Sequence, residues 1–246
     1  MVFNITECVD FHHGKRIVIT ILVCGHDVVI IMHKEGDALL IQQPVYYPFR
    51  EVIEDNGRIF VNNQLHYEDG KYTIDFEDFE KKIVDNNVKV FILCNPHNPV
   101  GRVWTKEELE KMGDICLKHN VVIMDDEIHC DFTYPGFKFT SFMTLDEKYH
   151  NSLVLYTSPS KTFNVAGLQP ANIIIKNPEL RAAYRKANAA AGYSQGSIMG
   201  QVAVKSVYTK GDEWVNELVE YITGNMNYMR DFVKENFPKA HFVDPE

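Results

Sequence analysis

Three polar segments of this chain each follow directly on an apolar run: Asn95-Pro-His-Asn-Pro-Val-Gly101 after residues 88–94, Asp125-Asp-Glu-Ile-His129 after residues 121–124, and Ser158-Pro-Ser-Lys-Thr162 after residues 153–156. Between them they hold an amide (Asn98), carboxylates (Asp125 and Asp126), an imidazole (His129), hydroxyls (Ser158 and Ser160) and an amine (Lys161). An amine condenses with an aldehyde and, when released, moves protons; a carboxylate keeps a ring nitrogen protonated. In open parallel sheets ligands sit outside the carboxyl ends of the strands, so three such segments converging there supply amide, carboxylate and amine to one ligand. Taken singly, each has an ordinary structural use. Lysines are mostly solvated surface residues. The acidic run 125–127 reads as a solvated turn in which Asp125 is a bystander, Asn95 and Asn98 as Asx turns before Pro96 and Pro99, and Tyr46 and Tyr47 as core.

The elements that must position these groups alternate between strand and helix patterns from Lys34 onward, the signature of an α/β layer architecture. Residues 38–41 read as a short buried strand, 88–94 as a strand covered on both faces, and 121–124, 153–156 and 172–175 as further strands. Asp75 is placed to cap a helix whose apolar face is Phe76, Phe79, Ile83 and Val84. Thr105 and Glu108 stand in capping-box spacing ahead of a helix carrying Leu109, Met112 and Cys116, which ends near His119. Asp212 is placed to cap a long helix through Trp214, Leu218, Ile222, Met229 and Phe232 to Pro238, a bridge toward a second domain. No repeat, low-complexity tract or flexible linker interrupts the chain.

With 45% hydrophobic and 24% charged residues among 246, the composition is that of a globular protein with material for one large domain or two smaller ones. The formal net charge of -9, with no basic stripe, leaves no electrostatic footprint for nucleic acid and favours a small-molecule substrate. Cys8, Cys24, Cys94, Cys116 and Cys130 are odd in number and lie in apolar or motif contexts, which fits a reducing compartment rather than a disulfide framework. The apolar run 17–24 is too short to span a bilayer. Glu7 and Asp10 precede it where a secretory signal prefers positive charge, so it reads as a buried strand. Two pairs, Cys94 with His97 and Cys116 with His119, have zinc-like spacing, but both cysteines fall on apolar faces.

The segments Gln43-Pro-Val-Tyr-Tyr-Pro-Phe49, 95–101, Asp126-Glu-Ile-His129 and Ser158-Pro-Ser-Lys-Thr-Phe-Asn164 resemble, in order and spacing, the class I/II aminotransferase superfamily of pyridoxal 5'-phosphate (PLP) enzymes, fold type I. Within it they are similar to the MalY/PatB-type cystathionine β-lyase branch. The resemblance runs from about residue 34 to the end. It implies an α/β/α sandwich with a mostly parallel sheet, incomplete here: an atypical segment 1–33, a PLP-binding large domain over 34–211, and over 212–246 a connecting helix and the start of a truncated small domain. It implies that Lys161 forms the Schiff base with PLP and shuttles the substrate Cα proton, and that Asp126 pairs with the pyridinium nitrogen. Asn98 would bond the phenolic oxygen, Tyr46 would stack on the ring, and His129 stands where many relatives place a tyrosine. Ser158 matches a phosphate ligand, Ser160 is the lesser phosphate candidate, and Gln169 stands where transaminating relatives often carry a phosphate-binding arginine.

The chemistry implied is a β-lyase cleaving an amino acid with sulfur on Cβ to thiol, pyruvate and ammonia, in a cytoplasmic homodimer without membrane attachment. Two rivals stand beside it. One is an aminotransferase, which reprotonates the same carbanion on the cofactor. The other is a catalytically incomplete fragment that keeps the PLP-site scaffold, because residues 1–33 do not match the family's N-terminal segment with its glycine-bearing phosphate cradle, and the family's substrate-carboxylate arginine lies in the C-terminal domain, beyond Glu246, with neither Arg181 nor Arg185 a substitute.

Overall fold

The computed structural model describes residues 2–5, 34–190 and 197–246. The run 17–24, Cys8, Cys24, His12 and His13 lie outside the described residues. Nine strands are described: β1 (Val2–Ile5), β2 (Ala38–Ile41), β3 (Ile59–Asn62), β4 (His66–Glu68), β5 (Lys71–Thr73), β6 (Val88–Cys94), β7 (Val122–Asp126), β8 (Leu153–Thr157) and β9 (Ala171–Ile175). Six helices accompany them: α1 (Pro48–Asp55), α2 (Phe76–Asp85), α3 (Lys106–Lys118), α4 (Pro178–Ala190), α5 (Ile198–Lys210) and α6 (Asp212–Asn236). Seven strands form one sheet in the order β1-β9-β8-β7-β6-β2-β3, while β4 and β5 make a separate hairpin. Pairing from β3 through β8 is parallel; β9 runs antiparallel to β8, and β1 antiparallel to β9. This is the mostly parallel, helix-flanked sheet expected.

Because strand side chains alternate between faces, the sheet carries two cores. Val90, Ile92 and Cys94 of β6 pack on one side with Met124, Val154 and Ile173, against Phe49, Val52 and Ile53 of α1 and Tyr184 of α4. Phe91 and Leu93 pack on the other with Ile123 and Leu153, against Phe79 and Ile83 of α2 and Leu109, Met112 and Cys116 of α3. Burial of a side chain such as Leu109 contributes about 1.5–3 kcal/mol.

Local signals set the helix starts. Asp75 accepts the backbone N–H groups of Glu77 and Asp78 at 3.0 and 2.9 Å, and the capping box of α3 forms, with the Glu108 N–H on Thr105 at 3.2 Å and the Thr105 N–H on Glu108 at 2.9 Å. Two expectations are corrected. Val84 is exposed rather than part of the α2 core face, since α2 docks through Phe79 and Ile83 and its edge beyond them meets water. Asp212 is not the cap of α6 but its first residue, following Gly211; its carboxylate still opposes the positive end of the helix dipole. The short α1, the β4–β5 hairpin and helices α4 and α5 were not anticipated from the sequence.

Candidate active site

Strands β6, β7 and β8 run parallel in register, with Cys94 opposite Asp126 and Asp126 opposite Tyr156. The ladder continues one residue further: the Asn95 N–H bonds the Asp126 carbonyl at 3.0 Å, and the Glu127 N–H bonds the Tyr156 carbonyl at 2.9 Å. The three motif segments therefore leave the sheet side by side at its carboxyl edge.

Asp126 shares its face with Met124 and is 5% exposed. Its Oδ1 accepts the Ile128 N–H at 3.2 Å. Burial raises its carboxyl pKa to about 7, against the opposing effect of the Ile128 N–H; Glu127 pushes it up further and the Lys161 charge pulls it down. Lys161 thus stands within electrostatic reach of Asp126. It also reaches His129, whose imidazole is lowered to about 4 by burial and then by the Lys161 charge, and is neutral at ordinary pH. Tyr46 completes this side. Its phenol is raised by burial, by Tyr47 and then by Asp126, and its ring meets Phe49 edge-on at 5.8 Å.

The structure brings Tyr46, Asp126, His129 and Lys161 together, but not in the way the acidic run suggested. Asp125, Asp126 and Glu127 are all buried, so this is no solvated turn. Lys161, by contrast, is exposed among the described residues. Asn98 is half-buried, and its backbone N–H rests on the Cys94 thiol at 3.4 Å.

The two serines differ in their partners. The Ser158 hydroxyl donates to the Pro170 carbonyl and accepts the Ser160 N–H at 3.1 Å, so it shapes the turn from within. The Ser160 hydroxyl is buried with no hydrogen-bond partner among the described residues. A buried orphan hydroxyl costs free energy unless a ligand supplies the missing partner, and that is the observation by which the site fits a phosphate-bearing group. Gln169 takes a left-handed backbone at φ 54 beyond a short 3-10 turn.

Sequence reading missed what braces the lysine turn. Trp214, in the first turn of α6, donates its indole N–H to the Thr162 carbonyl at 3.1 Å, and Thr162 donates its hydroxyl to Asp131 at 2.7 Å. Gly211, just before α6, lies against the Phe163 ring with no room for a Cβ. The 95–101 loop has its own brace. Gly101, at φ 71, approaches Pro245 so closely that a Cβ would stand 2.8 Å from the proline Cβ. The Glu246 N–H bonds the Gly101 carbonyl at 2.7 Å, and its carboxylate meets Arg102 at 2.8 Å and the Val103 N–H at 3.0 Å. A contact over 144 residues leaves no local sequence signal. The zinc-like pairs dissolve: His97 bonds the Pro44 carbonyl, His119 bonds Glu80, and Cys94 and Cys116 lie in opposite cores.

The parallel, helix-flanked sheet thus aligns an amine, a buried carboxylate and an orphan hydroxyl at its carboxyl edge, the arrangement of an α/β protein with a ligand site outside its strand ends. The chain belongs to the aminotransferase class I and II family, whose model matches residues 24–245. It is 42% identical over 211 residues to cystathionine beta-lyase PatB of Bacillus subtilis, covering 86% of this chain and 54% of the relative. It is 32% identical to protein MalY of Escherichia coli, with the same coverage of 86% and 54%. Among solved structures it matches cystalysin of Treponema denticola, which contains a pyridoxal 5'-phosphate cofactor, with a TM-score of 0.89 at 36% identity over 97% of this chain and 57% of that one. A PLP-bound C–S lyase of Staphylococcus hominis matches with a TM-score of 0.86 at 31% identity, over 100% and 59%. The chain thus spans about half the length of the relatives it matches. Among the described residues no helix is long and apolar enough to cross a membrane.

Proposed function

We propose that residues 34–211 build the pyridoxal-phosphate site of a carbon–sulfur β-lyase that acts on cystathionine or related cysteine S-conjugates and yields thiol, pyruvate and ammonia. The observation that carries the reading is the placement of Lys161 beside Asp126 and His129, with the orphan hydroxyl of Ser160 one residue away. The names and cofactors of the relatives support it.

When bound, the group takes up the electron pair freed at the amino acid's Cα. Lys161 supplies the amine that holds it and that accepts and returns the Cα proton. Asp126, whose burial disfavours its charge, ionises best against a cation, which suits it to a protonated ring nitrogen. Tyr46 offers a ring face, and Asn98 an amide for the phenolic oxygen. His129, neutral, lends polarity without adding a positive charge beside Lys161. Ser160 offers its unpartnered hydroxyl to the phosphate, with Ser158 holding the turn that presents it.

A second reading, transamination, uses the same residues and is favoured by a relative of Saccharomyces cerevisiae named "Probable kynurenine–oxoglutarate transaminase BNA3", 31% identical over 70% of this chain. A third reading is a scaffold that binds the cofactor without turnover. We place the protein in the cytoplasm as a homodimer, and light scattering that found only monomer would overturn the latter. The deciding assay supplies cystathionine or an S-alkylcysteine with PLP and no 2-oxo acid. Pyruvate and thiol over many turnovers are expected. Conversion of the cofactor to its amine form without turnover sinks the lyase reading in favour of transamination, and binding without either product leaves the scaffold.

A further inference from the structure

His97 lies at the junction of two loops that the cofactor reading uses on different grounds. It is buried at 2% exposure, and its Nε2 stands 3.0 Å from the Pro44 carbonyl, two residues before Tyr46. A carbonyl only accepts, so this nitrogen carries the proton and donates. The same residue precedes Asn98. Its backbone N–H bonds the Arg102 carbonyl at 2.7 Å, and its carbonyl accepts the Gly101 N–H at 2.8 Å, so the 95–101 loop is closed on itself around His97.

Packing fixes the ring as well as the backbone. Trp104, fully buried, meets the imidazole edge-on with centroids 5.4 Å apart and donates its indole N–H to the Cys94 carbonyl at 2.9 Å. The Arg102 guanidinium lies over the Trp104 ring at 4.6 Å and is itself held by Glu108 and Glu246. The imidazole therefore cannot swing away from Pro44 without unpacking the core at the base of the loop.

Resting on the cofactor reading above, we infer that His97 is a positioning residue: through its Nε2–H bond to the Pro44 carbonyl it sets the distance between the Tyr46 ring and the Asn98 amide. The two groups come from loops 53 residues apart in the chain, numbered at Pro44 and His97. Each loop follows its own strand, and the His97 Nε2–H bond to Pro44 joins them. Displacement of either wall by a fraction of an ångström weakens contacts that depend on both being in place.

The test uses three variants. H97Q keeps an N–H donor the same number of bonds from Cβ as Nε2; H97N places it one bond short; H97F keeps the ring volume and removes the donor. Each is titrated with PLP, reduced with borohydride to locate the label, and scanned for the pH midpoint of the bound-cofactor absorbance, alongside its melting temperature. Expected are a PLP dissociation constant about tenfold higher and a displaced midpoint for H97F and H97N, with H97Q within about twofold of the parent. A merely structural role would lower the melting temperature and leave the midpoint of the folded molecules unchanged, which overturns the inference. H97Q behaving like H97F overturns it too, and if H97F does not fold, the contrast between H97Q and H97N decides. A parent chain labelled at Lys161 with unaffected variants sinks the inference alone; a parent chain without label at Lys161 sinks the cofactor reading and the inference with it.

Discussion

Asp125 and Asp126 are consecutive on β7 yet face opposite layers of the sheet: Asp126 lies on the side of Met124 and Cys94, Asp125 on the side of Ile123 and Leu93. Strand alternation alone separates them. Asp126 looks toward Lys161, whereas Asp125 is fully buried beside Glu127, and burial followed by that neighbour's charge drives its carboxyl well above the ordinary range. Glu127 is raised as well, chiefly by burial, and accepts the Phe142 N–H at 2.9 Å. The acidic run is therefore one carboxylate facing Lys161 and two buried carboxyls behind it whose pKa values burial raises.

Asp126 imposes a pH dependence on the cofactor-free chain. Its folded pKa of about 7 lies above the ordinary 3.8, so the folded state binds the extra proton between these values and stability falls as pH rises through them. Asp126→Asn removes that penalty. Denaturation of the cofactor-free protein at pH 8 is expected to show the variant more stable by a few kcal/mol, the gap closing by about pH 4. PLP affinity should fall at the same time. A gap that is constant with pH would refute the assignment.

The serines separate by substitution. Ser158→Ala strands the Pro170 carbonyl and the Ser160 N–H, and should destabilise the cofactor-free chain by about 1–3 kcal/mol. Ser160→Ala deletes a buried hydroxyl that has no partner, so it should be neutral or slightly stabilising while weakening PLP binding. Urea melts and a PLP titration of both variants check the pair.

Lys161 is exposed, so Lys161→Ala should change stability by no more than about 0.5 kcal/mol while abolishing the borohydride-trapped label. Trp214→Phe tests the brace behind it. Loss of the indole bond to Thr162 should cost about 1 kcal/mol and loosen the lysine turn, read as faster amide exchange over residues 160–165.

Arg102 is buried between Glu108 and Glu246. Removing one member of such a cluster leaves uncompensated charge, so Arg102→Leu should cost about 3 kcal/mol. For Glu246, burial raises the carboxyl pKa, but the Arg102 bond and charge, the Val103 N–H and Lys71 outweigh it and hold the carboxyl below its ordinary 4.5. Its contribution is complete above the ordinary value and is lost as pH falls through the folded one. Acid titration of Glu246→Gln against the parent should show the two converging at low pH.

The sequence by itself determined the layer architecture, the capped starts of α2 and α3, and the identity of Lys161, Asp126, Asn98, His129 and Tyr46 as candidates, because caps, strand runs and strand-end motifs are written in residues a few positions apart. Helices α4 and α5 were not foreseen, although Asn177 ahead of Pro178 and Ser197 ahead of Ile198 cap them through their side chains and were there to be read. Only the tertiary structure decided which serine is orphaned, that Lys161 is exposed, that Trp214 braces its turn, and that His97 and Glu246 tie distant loops together. Those outcomes depend on which hydroxyl, carbonyl or guanidinium lies opposite once the strands align, and hydrogen bonds spanning 52, 53 or 144 residues leave no periodicity to read.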